Sequence, residues 1–192
     1  MLASLAHPLA RIAAATVLLT GILGWMVVDR VRLLASGREI VLPIRPVDPR
    51  DLLKGDYARL GFDISTVDPA MMPAAPPLPS NVVYQRQPPR TVYVTLEQQP
   101  DQSWKPVAVA LRFPTAHAAN QIVLRGTTQS WDQRLISYGI ERYFVPEGTG
   151  GRIEDLARTS RLSAIVAVDR SGRAAIKGLV SDGRRIYEEP LF

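Results

Sequence analysis

Two acids stand in the settings that best suit chemistry. Asp56 lies between Gly55 and Tyr57, and Glu147 precedes Gly148 shortly after the aromatic pair Tyr143 and Phe144. Two carboxylates facing one sugar are what glycoside hydrolysis requires. The simpler role for each is a cap, with Asp56 accepting backbone N–H groups at a strand entry and Glu147 doing so ahead of a helix that begins at Arg152. A serine–lysine dyad, suited to a membrane-tethered peptidase, needs a lysine whose pKa is depressed by burial. Its base would have to be Lys54, Lys105 or Lys177, and the sequence establishes a buried apolar setting for none of them. A serine–histidine–acid triad would have to use His117, and no serine lies in a G-x-S-x-G elbow. Cysteine is absent, which excludes disulfides, a thiol nucleophile, thiolate zinc and iron–sulfur clusters. The only histidines are His7 and His117, so no metal site and no cofactor is expected. Tyr143 and Phe144 point to opposite faces of a strand, so one belongs to the core. The other can line a ligand groove with Tyr57 and Arg142.

The elements that position these groups read as a β domain behind an apolar helix. Glu39 to Arg45 is a strand in which Pro43 argues for an edge or a bend. DPRDLLKG is one helical turn, with Asp48 as N-cap, Pro49 at the first helical position and Gly55 at the left-handed end. Ala58, Leu60, Phe62 and Ile64 then alternate with Tyr57, Arg59, Gly61 and Asp63, the period of a strand with one buried face. Residues 68–80 carry five prolines and no period, and read as a stiff, partly extended surface loop or a disordered insertion, not as a boundary between two domains. VVYQR, TVYVTLEQ, WKPVAVALRF, QIVLRGTT and RLISYGIERYFV follow as β runs separated by turn signals, which predicts hairpins in an antiparallel sheet or barrel. RIEDLARTSR predicts one helix, placing Ile153, Leu156 and Ala157 on a common face. LSAIVAV and the runs after DRSG and SDG predict three closing strands, and Phe192 is expected to tuck back on the sheet. The fold class is thus mainly β: an N-terminal transmembrane helix, then one antiparallel β-sheet or barrel-like domain with one or two short helices. The anchor takes residues 1–30 and the domain residues 37–192.

Ile12 to Val28 is an uncharged run of 17 residues, which spans roughly 26 Å as a helix. With its apolar flanks that suffices to cross a bilayer core, and Trp25 stands where an indole suits the interface. The run is long for a signal-peptide core and ends in Asp29, Arg30 and Arg32, so an uncleaved anchor is the expectation. Orientation draws two opposite arguments. Arg30, Arg32 and Arg38 outnumber Arg11, which places the domain in the cytoplasm. The usual architecture of an N-terminal signal anchor places it outside, and that is the side expected. The net charge of +5 comes mostly from arginines scattered among 18 acids, with Arg184 and Arg185 alone adjacent. No basic stripe interleaved with aromatics is present, so nucleic acid is not an expected partner.

GDYARLGF resembles the signature GDYXXLXY of a family of uncharacterised bacterial membrane-anchored proteins. The match is Gly55, Asp56, Tyr57 and Leu60, and Phe62 departs from it where the family has tyrosine. PVDPRDLLKGDY, YGIERYFVPEGTG and the closing IYEEPLF are similar to the family as well. The resemblance implies one N-terminal helix in a bacterial inner membrane and a polytopic membrane protein as partner, and it carries no activity. The function expected is a non-enzymatic, membrane-tethered domain that binds a membrane-protein or envelope partner through Gly55, Asp56, Tyr57, Leu60, Arg142, Tyr143 and Glu147. The alternative is an envelope hydrolase acting through an acid pair or a serine–lysine pair.

Overall fold

A computed structural model describes residues 8–45, 57–73, 89–128, 135–144 and 162–188, with the backbone alone at Pro8, Leu9, Tyr57, Ala58, Arg59, Phe144 and Glu188. The predicted helical turn at DPRDLLKG, the run VVYQR, the helix RIEDLARTSR and the terminal Phe192 lie outside the described residues.

Helix α1 runs over Pro8–Ser36, about 44 Å at 1.5 Å per residue. It is long and apolar enough to span a membrane. The large side chains from Ile12 to Val28 are exposed, Val17 at 73% and Trp25 at 67% among them, so no part of the described domain covers that stretch. Thr16 returns its hydroxyl to the Ile12 carbonyl at 3.0 Å, which satisfies inside the helix a polar group that hydrocarbon could not. The helix outruns a bilayer core of roughly 30 Å, and its last turns dock on the domain.

Among the described residues ten strands follow: β1 (Arg38–Arg45), β2 (Tyr57–Arg59), β3 (Gly61–Phe62), β4 (Arg90–Gln98), β5 (Trp104–Ala110), β6 (Gln121–Thr128), β7 (Arg142–Phe144), β8 (Leu162–Val168), β9 (Ala174–Ser181) and β10 (Arg184–Glu188). They form a five-stranded sheet ordered β10-β9-β8-β1-β3, a three-stranded sheet ordered β5-β4-β6, and the pair β2-β7. Every described ladder is antiparallel. Ile40 and Leu42 of β1, Val92, Val94 and Leu96 of β4, Ile122 and Leu124 of β6, and Ala164 and Val166 of β8 share one buried core. The two larger sheets therefore face each other through side chains that alternate along each strand.

Strand β8 departs from simple alternation, because Ile165 and Ala167 are buried as well as Ala164, Val166 and Val168. Its second face is covered by the end of α1, where Leu33 and Leu34 pack on Ala175. The approach is close. A Cβ on Gly37 would meet the Leu33 carbonyl at 2.7 Å, with the Ala167 Cβ and the Val168 nitrogen each at 3.0 Å. Only glycine lets the chain leave the helix at that point and enter β1.

Two expectations are corrected. The alternating run from Tyr57 to Ile64 is not one strand. Its burial is as the period demands, with Leu60 at 4%, Phe62 at 4% and Ile64 at 2% exposed. The backbone nevertheless pairs with β7 over Tyr57–Arg59, with β1 at Gly61 and Phe62, and then winds into a 3-10 turn over Asp63–Ser65. A period of two records which face is inward, not which neighbour is alongside. RLISYGIERYFV is likewise interrupted: Leu135 and Ser137 make single bridges, and β7 begins only at Arg142. Gly139 takes a positive φ of 79° between them and turns the chain. Pro43 stands opposite Ser163, on a strand whose far flank pairs with β3 only at Ile44 and Arg45, where a missing N–H is tolerated. In the proline-rich stretch, Asp68 accepts from the Ala70 N–H at 2.9 Å and caps a 3-10 turn over Pro69–Met71.

Candidate functional site

The ladder between β2 and β7 brings two motif segments side by side: Tyr57 opposite Phe144, Ala58 opposite Tyr143, Arg59 opposite Arg142. Their backbones meet, yet several side chains singled out in the sequence face inward. Tyr143 is 3% exposed and sets its ring edge-on to Tyr187, with centroids 5.7 Å apart, a favourable aromatic geometry. Leu60 is core, and its N–H donates to the Glu141 carbonyl at 2.9 Å. Arg142 is exposed and borders a small cavity of 60 Å³ with Gly139 and Ala175. Gly55, Asp56 and Glu147 lie outside the described residues.

Between these segments the chain is shaped by a residue the sequence reading passed over. The Glu141 carboxylate accepts from the Tyr138 N–H at 2.5 Å, the Gly139 N–H at 2.9 Å and the Ser137 hydroxyl at 2.8 Å. A carboxylate that collects this many local donors holds a loop in one shape. Tyr138 then reaches through the core and donates to the Ile64 carbonyl at 2.8 Å. Burial, with the Glu141 charge adding to it, pushes this phenol well above its ordinary 10, so Tyr138 is a tie rather than a proton carrier. Underneath lies Gly126, where a Cβ would fall 2.3 Å from the Ile136 side chain. Ser137 and Thr127 exchange backbone bonds of 2.7 and 2.9 Å, which pins the loop to β6. The signal was present in Y-G-I-E, a glycine two residues ahead of an acid, and was masked by reading the whole run as strand.

The turn between β8 and β9 is built around Asp169, which accepts from the Ser171 N–H and hydroxyl, from the Arg173 N–H, and from Arg173 Nε at 2.7 Å. Burial alone would raise the Asp169 pKa, but the bonds from Ser171 and Arg173 outweigh it and hold it below the usual carboxylate value. Gly172, at a φ of 82°, gives its carbonyl to the Arg125 N–H at 2.7 Å, docking the turn on β6. The rest of the Arg173 guanidinium turns to the anchor. Nη1 and Nη2 meet the two Asp29 oxygens at 2.6 and 2.9 Å, a bidentate fork. These bonds raise the Arg173 pKa further.

A cleft of 680 Å³ opens at this junction, walled on the helix side by Trp25, Met26, Asp29, Arg30 and Leu33. The domain side is Arg125, Thr127, Ser137, Tyr138, Gly139, Arg173 and Ala174. Its walls join the apolar anchor to the Glu141 loop and the Asp169 turn.

The catalytic candidates do not assemble among the described residues. Lys177 pairs with Glu39 at 2.7 Å, Lys105 is exposed on β5, and His117 is exposed in the loop between β5 and β6. No group of three or more metal-ligating side chains converges among them. The family model described as GDYXXLXY protein matches residues 19–179. No curated protein and no solved structure matches the chain.

Proposed function

The chain belongs to the GDYXXLXY protein family, and on that footing we propose that it is a non-enzymatic, membrane-tethered binding domain. In this reading α1 crosses a bacterial inner membrane, and the β domain is an accessory to a polytopic membrane protein, held on the extracytoplasmic side. The observation that carries the reading is the Asp29–Arg173 fork with the Leu33–Leu34–Ala175 contact. A helix that merely retains a domain at a membrane can end in a flexible linker. This one is continuous to Ser36 and is bolted to the domain it carries, so the orientation of the β domain follows that of the helix. Rigid presentation serves binding to a partner in or on the same membrane.

The test is capture of the full chain from detergent-solubilised membranes after in-cell photocrosslinking from Val17 and Ile22 on the exposed helix. A discrete polytopic adduct is expected, and Asp56→Ala is expected to weaken it while the protein still folds. Adducts limited to lipid and to the chain itself would count against the reading. Carboxyl-terminal phosphatase and fluorescent-protein fusions address the side of the membrane. An active phosphatase is expected, whereas an inactive phosphatase beside a bright fluorescent fusion contradicts the outward placement.

A further inference from the structure

We propose that the exposed edge of the Glu141 loop is a second membrane contact: it seats Leu135 in the interfacial layer of the bilayer that α1 crosses, so that the β domain rests on the lipid surface. The inference rests on the reading of α1 as a membrane span. Three observations carry it.

The first is depth. The uncharged run from Ile12 to Val28 measures roughly 26 Å as a helix against a bilayer core of roughly 30 Å, so little of it can be spared for water. Trp25 and Met26, 67% and 61% exposed, therefore lie near the boundary between acyl chains and headgroups, where an indole settles. Ser137 and Gly139 of the domain wall the same cleft as these two side chains. The domain thus reaches back along the helix to the depth of Trp25, although α1 itself continues to Ser36, roughly 17 Å further on.

The second is the face presented there. From Leu135 to Ile140 burial alternates, with Leu135, Ser137 and Gly139 exposed and Ile136, Tyr138 and Ile140 buried. Leu135 therefore shares the side of the chain that Ser137 and Gly139 turn to the cleft. It is 63% exposed. Thr66, also exposed, stands opposite it in a single antiparallel bridge, so the two side chains lie on one face. A large apolar side chain between small polar neighbours gains nothing from water, and gains burial where the headgroups meet the acyl chains.

The third is rigidity. The Asp29–Arg173 fork and the packing of Leu33 and Leu34 fix the domain to the helix, and the Glu141 bonds and the Ser137–Thr127 exchange fix the loop to the domain. The level at which α1 sits then sets the level of Leu135. The contact is apolar and asks for no net charge. Glu141 stays on its donors from Ser137, Tyr138 and Gly139, and Asp29 and Asp169 stay on Arg173.

The chain has no cysteine, so a bimane label can be placed at one position at a time. The full chain is held in phosphatidylcholine nanodiscs that contain lipid spin-labelled either at the headgroup or deep in the acyl chain. Leu135→Cys reports the contact itself, and Thr66→Cys reports it with Leu135 in place. Leu23→Cys reports the span. Arg184→Cys, paired with Ser181, reports the far end of β9, about 23 Å along the strand from Ala174 in the cleft wall. Emission at Leu135 and Thr66 is expected to shift to the blue of that at Arg184 and to be quenched by the headgroup label. The deep label should quench at Leu23 and not at these two positions. Quenching at Thr66 no stronger than at Arg184 would overturn the proposal. So would a blue shift at Leu135 that neither lipid quenches, which would mark cover by protein, such as a second copy of the chain. Leu23 separates the two levels of failure. Quenching there without quenching at Leu135 and Thr66 removes the second contact alone, and no quenching at Leu23 removes the span and the contact together.

Discussion

Among the motif residues, burial decides what substitution does. Leu60 is core and Arg142 is solvent-facing. Leu60→Ala is expected to cost about 2–5 kcal/mol through lost burial and a residual cavity, while Arg142→Ala stays within about 0.5 kcal/mol. Thermal unfolding of the detergent-solubilised chain should separate the two. Tyr138→Phe removes the bond to the buried Ile64 carbonyl at 2.8 Å and should destabilise by about 1–2 kcal/mol. Equal melting of Tyr138→Phe and wild type would show that the tie contributes nothing. The sequence made the inward set Leu60, Phe62 and Ile64 legible, because alternation survives a change of neighbour. It could not show Glu141 as the centre of a loop, because three donors that meet one carboxylate are a property of a turn and not of a periodic pattern.

At the scale of elements, the end of α1 and the β8–β9 turn depend on close contact and on charge. Gly37→Val would drive a branched side chain into the Leu33 carbonyl and β8. It should loosen the helix end, with hydrogen exchange rising at residues 33–37 and at the edge of β8, and cost about 1–3 kcal/mol as overpacking does. Asp169 supplies a pH dependence whose sign is fixed. Its native pKa lies below its ordinary value of 3.8, so its contribution is complete above that value and is lost as pH falls through the native pKa. An acid titration of thermal stability should therefore decline below about pH 4, and Asp169→Asn should flatten that limb. A limb as steep in Asp169→Asn as in wild type would assign the acid sensitivity elsewhere. Strands β4, β6, β8 and β9 were legible in their β-branched runs. Strand β8 held further information: a continuous apolar run needs cover on both faces, and the cover is the helix end. The division of Tyr57–Ile64 between two partners was not legible, since pairing is set by where distant strands lie.

For the molecule as a whole, the anchor and the β domain were both legible, one from an uncharged run and the other from regular β spacing. Their union was not, because Asp29 and Arg173 lie 144 positions apart and nothing local to either shows that they meet. That union underlies the account: a helix that is long enough to cross a membrane carries a β domain in a fixed orientation and opens a cleft where the two join. The absence of cysteine allows a direct measurement. Nitroxides placed at Leu23→Cys on α1 and Lys105→Cys on β5, both exposed, report the distance between anchor and domain by pulsed electron resonance in lipid nanodiscs. A single narrow distance distribution is expected, broadening when Asp29→Ala and Arg173→Ala are combined. A broad distribution in the otherwise unaltered chain, unchanged by those substitutions, would contradict it.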